Sequence, residues 1–423
     1  MKETFMEEWK TYKLGDIASV QTGPFGSQLH NEDYVSVGTP IVTVEHLGAR
    51  KFSKQNLPLV SEEDKDRLSK YSLQEGDIVF SRVGSVDRCS YVSHDEDGWL
   101  FSGRCLRVRS GNLVYPLFLY YYFQKESVKQ EIRNVAVGAT MPSINTKLLS
   151  DLTVILPPIT EQKRIAGILS SIDDKIELNN RINHNLEEQA RALYKSWFVD
   201  FEPFKDGKFI DSEIGMIPEG WRIYKFTDIA SICSGYSYKG SELIDSDCAM
   251  ATIKNFDRDG SFKIEGYKEI RPSGRLKHEQ IVGIYDVLVA HTDLTQKAEI
   301  IGSPAIILSS SGYKKLIMSM DLCKVTSTIT NISQGLLYYL LKSSSFKQHA
   351  LGYVNGTTVL HLSKKALLDF TIALPDDLSE LDVISKLLME KCKLMSSLLN
   401  EEIILQSIRD ALLPKLMSGS ITC

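Results

Sequence analysis

Two similar mixed α/β domains, each followed by one long helix, make up the α+β fold class that this chain predicts, and three observations lead to it. The first is a repeat. Trp9 to Gly23 (WKTYKLGDIASVQTG) aligns without gaps on Trp221 to Gly235 (WRIYKFTDIASICSG), with eight of fifteen residues identical. Gly138 to Pro157 aligns on Gly356 to Pro375 with eight of twenty identical, Gly76 to Val79 echoes Tyr285 to Leu288, and Phe118 to Tyr121 echoes Leu336 to Tyr339. The offsets of 212 and 218 residues far exceed the roughly 20–50 residues of a solenoid repeat. They mark two complete domains of one ancestry, so the molecule should do one thing at two places. The second observation is punctuation by Pro157-Pro158, which neither a central strand nor a continuing helix accepts. The third is a heptad pattern immediately after those prolines.

In the first domain, strand-like segments (Ile41 to Val44, Asp77 to Ser81, Leu106 to Val108, Leu152 to Leu156) are separated by turn signals such as Asp97-Gly98 and Ser110-Gly111-Asn112. An aromatic-faced helix is expected over Pro116 to Arg133, with Pro116 suited to its first turn. Thr160 reads as the N-cap of the long helix, with Glu161 favoured by the dipole. A heptad then runs in alternating steps of four and three through Ile165, Leu169, Ile172, Ile176, Asn179, Asn183, Leu186, Ala190, Leu193 and Trp197. Such a seam covers roughly 38 residues, or about 57 Å at 1.5 Å per residue. The two asparagines are expected to fix its register, because a buried polar pair tolerates one alignment. The second copy, Glu380 to Met417, carries Leu387, Leu394, Leu398, Leu405, Ile408 and Leu412 at compatible spacing, less regularly, with Lys391 and Glu401 on the same track. Two helices with apolar seams need partners, and each other is the nearest. If the halves pack alike about a pseudo-two-fold axis, connectivity makes the helices antiparallel. The expected boundaries are 1–159, 160–200 (first long helix), 201–379 and 380–423 (second long helix).

Hydrophobic content of 43% with 24% charged residues is ordinary for a globular chain of 423 residues. The charged start MKETFMEEWK lacks the apolar stretch of a signal peptide, and no apolar run approaches the ~18 residues of a membrane span. Seven cysteines without metal-ligand spacing suit free thiols in a reducing cytoplasm. The net charge of −5 weighs against a simple nucleic-acid binder without excluding one. Arg82 to Arg133 holds eight Lys/Arg against six Asp/Glu, and Lys254 to Lys277 holds seven against four. Excesses this modest suit a solvated face as well as a phosphate-binding one.

One resemblance is specific. Leu156 to Phe204 (LPPITEQKRIAGILSSIDDKIELNNRINHNLEEQARALYKSWFVDFEPF), followed by Gly215 to Ala230 (GMIPEGWRIYKFTDIA), resembles the specificity subunits of type I restriction-modification systems. The LPP-x-x-EQ-x-x-I opening and the SWFVDF ending carry it, and the order domain, helix, domain, helix extends it over the whole chain. The second copy departs from the pattern at Pro375-Asp376-Asp377 and Ser379-Glu380. The resemblance implies a non-catalytic, DNA-reading subunit. Each target recognition domain would read one half of a split sequence in double-stranded DNA, and the helical strut would set the spacer. Two modification subunits would supply S-adenosylmethionine-dependent adenine methylation. Restriction subunits would supply ATP- and Mg-dependent translocation and cleavage, with no cofactor in this chain.

The residues themselves agree with that expectation. Leu156-Pro157-Pro158-Ile159 lacks the polar and aromatic flanks of an amino-methyltransferase loop. There is no G-x-x-x-x-G-K-S/T loop and no HExxH pair in the sequence. Pro375-Asp376 with Glu380 suggests nuclease carboxylates, but Asp382 stands where a lysine would be wanted. What remains is recognition chemistry, where arginine suits guanine and asparagine or glutamine suits adenine. In domain one the candidates are Gln21, Thr22, Ser27 and Gln28 in a flexible loop, Arg82, Arg88 and Arg104 after the strands, and Thr140 in a phosphate-binding turn. In domain two they are Tyr236, Tyr238, Lys239, His291, Thr292, Gln296, Lys297, Thr357 and Thr358. For each of these a packing or surface role is an equal alternative. Trp197, Phe198 and Phe201 read as core where the helix meets domain two, or as a docking face for a modification subunit. A coiled-coil interaction scaffold that binds no DNA is the reading from another class.

Overall fold

The structure is a computed structural model that describes residues 9–24, 28–138, 140–258 and 261–421. The chain forms two compact units, which do not divide at the helix ends: the first ends at Asp174 and resumes at Gln406, and the second runs from Lys175 to Leu405. Each unit therefore contains a stretch of both long helices.

In the first unit, strands Ala18–Thr22, Cys105–Ser110, Ile78–Ser81 and Cys89–Tyr91 form an antiparallel sheet in that order. A second sheet joins Tyr34–Val35, Leu59–Val60, Thr39–Val42 and Leu100–Phe101, with a parallel pairing between the last two. Lys10–Lys13 pairs antiparallel with Thr153–Leu156, bringing the two ends of the domain together. The expected helix over Pro116 to Arg133 is two helices, Pro116–Gln124 and Glu126–Val135, because Lys125 between them is extended at φ −60° and ψ 131°. Their aromatic face buries Phe118, Tyr121 and Phe123 against Phe80, and the same core takes in Ile165, Ala166, Leu169 and Leu416 from the long helices and Met417 just after the second.

The second unit repeats this plan. Its sheets follow the orders Ala230–Ser234, Leu322–Ser327, Val287–Ala290, Pro304–Ile306 and Lys268–Glu269, Cys248–Ala251, Lys315–Met318, Ile281–Val282. Trp221–Lys225 pairs with Thr371–Pro375. Helices Gln334–Leu341 and Ser344–Leu351 are separated by Lys342 and Ser343, and the Ser343 hydroxyl caps the latter helix by accepting from the Phe346 amide at 3.2 Å. This unit also has the hairpin Phe209–Ser212 with Gly215–Pro218 and a three-stranded sheet in the order Thr292–Asp293, Leu360–Leu362, Val354–Asn355. Beside the hairpin, Trp197, Phe198, Phe201 and Phe204 gather around Trp221, with ring centroids 5.3 Å apart for Phe201 and 5.1 Å for Phe204.

The first long helix runs Ile159–Phe198. Thr160 is thus its second residue rather than its cap, and the Pro158 carbonyl accepts from the Glu161 and Gln162 amides. Its seam is covered at Ile165, Leu169, Ile176, Asn179, Leu186 and Ala190. Within the second unit, Asn179 donates to Glu401 at 2.7 Å and Lys391 donates to Gln189 at 2.7 Å, so these stretches of the two helices are antiparallel. The asparagines pair with glutamates rather than with each other: Asn183 donates to Glu402 at 3.3 Å.

The second long helix, Asp382–Leu416, corrects the expected seam. Leu387, Leu394 and Ile408 are exposed, and the covered face is Ile384, Leu388, Cys392 and Met395. This face packs into the domain core with Leu336, Leu337 and Leu374, so its register answers to a sheet-and-helix core and not to a partner helix alone. Six cysteines among the described residues are free. Burial pushes the thiols of Cys89, Cys105 and Cys323 up to about 12, which keeps them protonated.

Candidate nucleic-acid interface

The two units share a hydrogen-bonded framework at the ends of their central strands. In the first, the Arg82 amide donates to the Arg104 carbonyl at 2.8 Å, and the Ile144 amide donates to the Arg82 carbonyl at 2.9 Å. In the second, the His291 amide donates to Asp321 at 2.8 Å and Leu362 donates to His291 at 2.8 Å. Ser102 donates to Val42 as Ser319 donates to Ala251, at 2.8 and 2.9 Å. The Thr43 amide donates to His46 Nδ1 at 3.0 Å, and the Thr252 amide donates to Asn255 Oδ1 at 2.8 Å. Gly23 and Gly235 lie so close to the facing strand that an added Cβ would meet Ser102 O at 2.2 Å and Ser319 O at 1.9 Å. The turns after the helices also match, with Gly138 at φ +108° and Gly356 at φ +113°. Arg82 and His291, Arg104 and Asp321, and Glu45 and Lys254 therefore occupy equivalent positions.

In the first unit this framework lines a cavity of about 600 Å³ with Thr43, Glu45, His46, Arg82 and Arg104 on its wall. Arg82 is a brace, donating to the Gly103 carbonyl at 3.2 Å and the Thr22 hydroxyl at 3.4 Å. Arg104 is exposed, and its guanidinium has no hydrogen-bond or ion-pair partner among the described residues. Thr140 is exposed in a turn that is bound to this strand end, since the Gly84 amide donates to Pro142 O at 2.8 Å.

Several sequence candidates are committed elsewhere. On either side of the loop expected to be flexible, Gln21 accepts from Arg107 within a strand, and Gln28 accepts from Tyr71 at 2.9 Å and from Arg67 at 2.8 Å. Ser27 lies outside the described residues. The Arg88 guanidinium donates to the Leu47 carbonyl and lies against Gly48, so it pegs two segments together.

In the second unit Tyr236 is buried, and its hydroxyl donates to Glu242 at 2.8 Å. Tyr238 packs against the same small core, and the Lys239 side chain is exposed beside it. Thr292 is buried in the strand facing His361. His291 Nε2 is buried with no hydrogen-bond partner among the described residues, and burial, reinforced by Lys364, lowers its pKa to about 4, so the ring is neutral.

Beyond His291, the loop from Asp293 to Ser303 is held from inside. Asp293 accepts from the Thr295, Ile300 and Ile301 amides at 2.8, 2.8 and 3.2 Å. Lys347 Nζ donates to the carbonyls of Ala298, Glu299 and Ile301 and to the Ser303 hydroxyl. Gln296 and Lys297 are exposed on this loop, and Gln296 donates to the Thr357 carbonyl, which joins the loop to the turn bearing exposed Thr357 and Thr358.

Glu45, Lys254 and Asp321, at equivalent places of this framework, are not among the sequence candidates. Aligning Thr43 to Leu47 on Thr252 to Phe256, and Ser102 to Val108 on Ser319 to Val325, would have brought them out. Among the described residues no group of His, Cys, Asp and Glu is arranged to hold a metal, and no helix is long and apolar enough to cross a membrane.

Residues 6–188 match the family described as type I restriction modification DNA specificity domain. The chain is 26% identical to the putative type I restriction enzyme MjaX specificity subunit of Methanocaldococcus jannaschii over 98% of this chain and 94% of the relative. It is 30% identical to the HindI specificity subunit of Haemophilus influenzae over 47% of this chain and 43% of the relative. The S subunit structure from M. genitalium has the same fold, with a TM-score of 0.62, 15% identity and 98% of each chain covered. These likenesses do not support a scaffold that ignores DNA. In its matched domain, and over nearly its whole length in the M. jannaschii relative, the chain is similar to the specificity subunits of type I restriction-modification systems.

Proposed function

We propose that each unit reads one half of a split sequence in double-stranded DNA, and that the two long helices set the spacer between the halves. The observation that carries this reading is one backbone framework built twice and furnished with different side chains. A duplicated framework suits two contacts of the same kind; different side chains suit two different base sequences, since hydrogen-bonding groups at base edges carry the specificity. The chain itself performs no chemistry on DNA. Modification subunits would bring S-adenosylmethionine for adenine methylation, and restriction subunits would bring ATP and Mg for translocation and cleavage, all in the cytoplasm.

The domain boundaries follow from the same reading: 1–159 and 201–379 as the recognition domains, and 160–200 and 380–423 as the helical segments. Gln296, Lys297, Thr357 and Thr358 would approach DNA in the second domain, and Arg104 and Thr140 in the first. The test is reconstitution with the modification subunits followed by sequencing of methylated sites. Methylation at one split site, lost without this chain, is the expected result. Methylation by this chain alone, or a site that does not change when residues 1–158 are replaced by another recognition domain, would refute the proposal.

A further inference from the structure

We infer that the two recognition domains read opposite hydrogen-bonding chemistry from the same backbone position: Arg104 takes a guanine in one half-site, and Asp321 takes the exocyclic amine of a cytosine in the other. The inference rests on the proposed DNA-reading function and assigns what that function leaves open.

The three side chains around each framework differ in a consistent sense. Where the first unit has Glu45 and Arg104, the second has Lys254 and Asp321, so an acid-base pair of positions is exchanged for a base-acid pair. The brace between them changes from the cationic Arg82 to the neutral His291. Backbone bonds hold both positions alike, as Arg104 and Asp321 each give their carbonyl to the residue at the end of the neighbouring strand, at 2.8 Å.

The side chains are uncommitted within the protein. Among the described residues neither the Arg104 guanidinium nor the Asp321 carboxylate has a hydrogen-bond or ion-pair partner, while Arg82, Arg88, Arg107, Arg109 and Arg133 all do. An arginine offers only donors, which match guanine O6 and N7. An ionised aspartate offers only acceptors, which match cytosine N4 and are repelled by the acceptor edge of guanine. Neither residue can do the other's work.

The test uses the chain reconstituted with its modification subunits, S-adenosylmethionine and a library of randomised duplexes, with methylated sequences counted. The wild type should show a guanine at one position of one half-site and a cytosine at one position of the other. Arg104→Ala should lower discrimination at the guanine position by about 5- to 150-fold and leave the other half-site unchanged. Asp321→Ala should do the converse, and Arg104→Lys should keep part of the guanine preference. Thermal melting of each variant separates loss of folding from loss of reading. If Arg104→Ala weakens methylation of all sequences alike, with a shallower salt dependence, Arg104 is a phosphate contact and the assignment is overturned. If instead the wild type marks no split site at all, the DNA-reading function itself fails.

Discussion

The two units carry the same turn before their second central strand, but one makes it with Gly76 and the other with Tyr285. Both residues lie at positive φ, +92° and +73°. The amide of each donates to the facing strand, Val92 or Ile307, and the following aspartate accepts from an amide three residues back, at 2.8 Å for Asp77 and 2.9 Å for Asp286. The aspartates then diverge. Asp77 is buried, and both its oxygens accept from Arg109 at 2.7 Å, whereas Asp286 faces Lys324 at 3.6 Å. Backbone bonds and the aspartate's bond to the turn amide are common to the halves, and the aspartate's ion pairing is not. The difference teaches that the framework tolerates exchange of nearly every group attached to it.

The largest effect that would sharpen this contrast lies at the start of the helices. Gln162 is buried and accepts from the Tyr115 amide at 2.7 Å while donating to the carbonyls of Pro157 at 2.8 Å and Leu113 at 3.2 Å. The second unit does this with Ser385, which joins Ser333 by two bonds of 2.7 and 2.8 Å. Gln162→Leu should cost about 2–4 kcal/mol by leaving three backbone groups unpaired, and Ser385→Ala about 1 kcal/mol, both read from urea unfolding. Equal costs would mean that the two anchors are interchangeable.

A smaller effect concerns how each unit joins its helix stretches. The first uses an ion pair, Arg409 with Asp173 at 3.0 Å. In the second, burial raises the Glu402 carboxyl to about 7, aided by Glu401 and opposed by its bond from Asn183. Because the folded value lies above the unfolded one, the protonated form is favoured on folding. Stability should therefore be greatest below about pH 4.5 for this group and decline as pH rises to about 7. The loss should be on the order of 2 kcal/mol, and Glu402→Gln should abolish it. A melting profile whose slope over this range is the same in the variant breaks the comparison.

The smallest effect is at the turn itself. Gly76→Ala should destabilise by about 1–2 kcal/mol, since a Cβ at positive φ is strained and would also press on Pro116 at 3.3 Å. Tyr285→Gly relieves that strain but gives up packing against the core, so its cost should lie within about 1 kcal/mol of zero. A large loss at Tyr285 would show that its ring, and not its backbone, holds the turn.

Much of this architecture is legible in the sequence, because repeats, proline punctuation and a heptad act locally. The duplicated domains, the first helix and its buried seam at Ile165, Leu169 and Leu186 are read in this way. The covered face of the second helix is not, since Ile384, Leu388 and Cys392 are chosen by a core assembled from distant strands. Site residues divide on the same ground. Tyr236 and Arg88 look free in sequence, and only their partners Glu242 and Leu47, brought close by folding, show that they are engaged. Asp321 was invisible alone and becomes visible only through its equivalence to Arg104.

The loop from Asp293 to Ser303 is gripped by its main chain. Lys347 gathers carbonyl oxygens much as a bound cation would, and Asp293 gathers amides from the other side. Neither clasp depends on the exposed side chains of Leu294, Gln296 and Lys297. Those positions can drift by point mutation while the loop keeps its shape, so under the proposed DNA-reading function a lineage would try new sequence preferences without passing through an unfolded intermediate. The lysine turns a surface loop into an interchangeable type slug, cut to one body and open to any face.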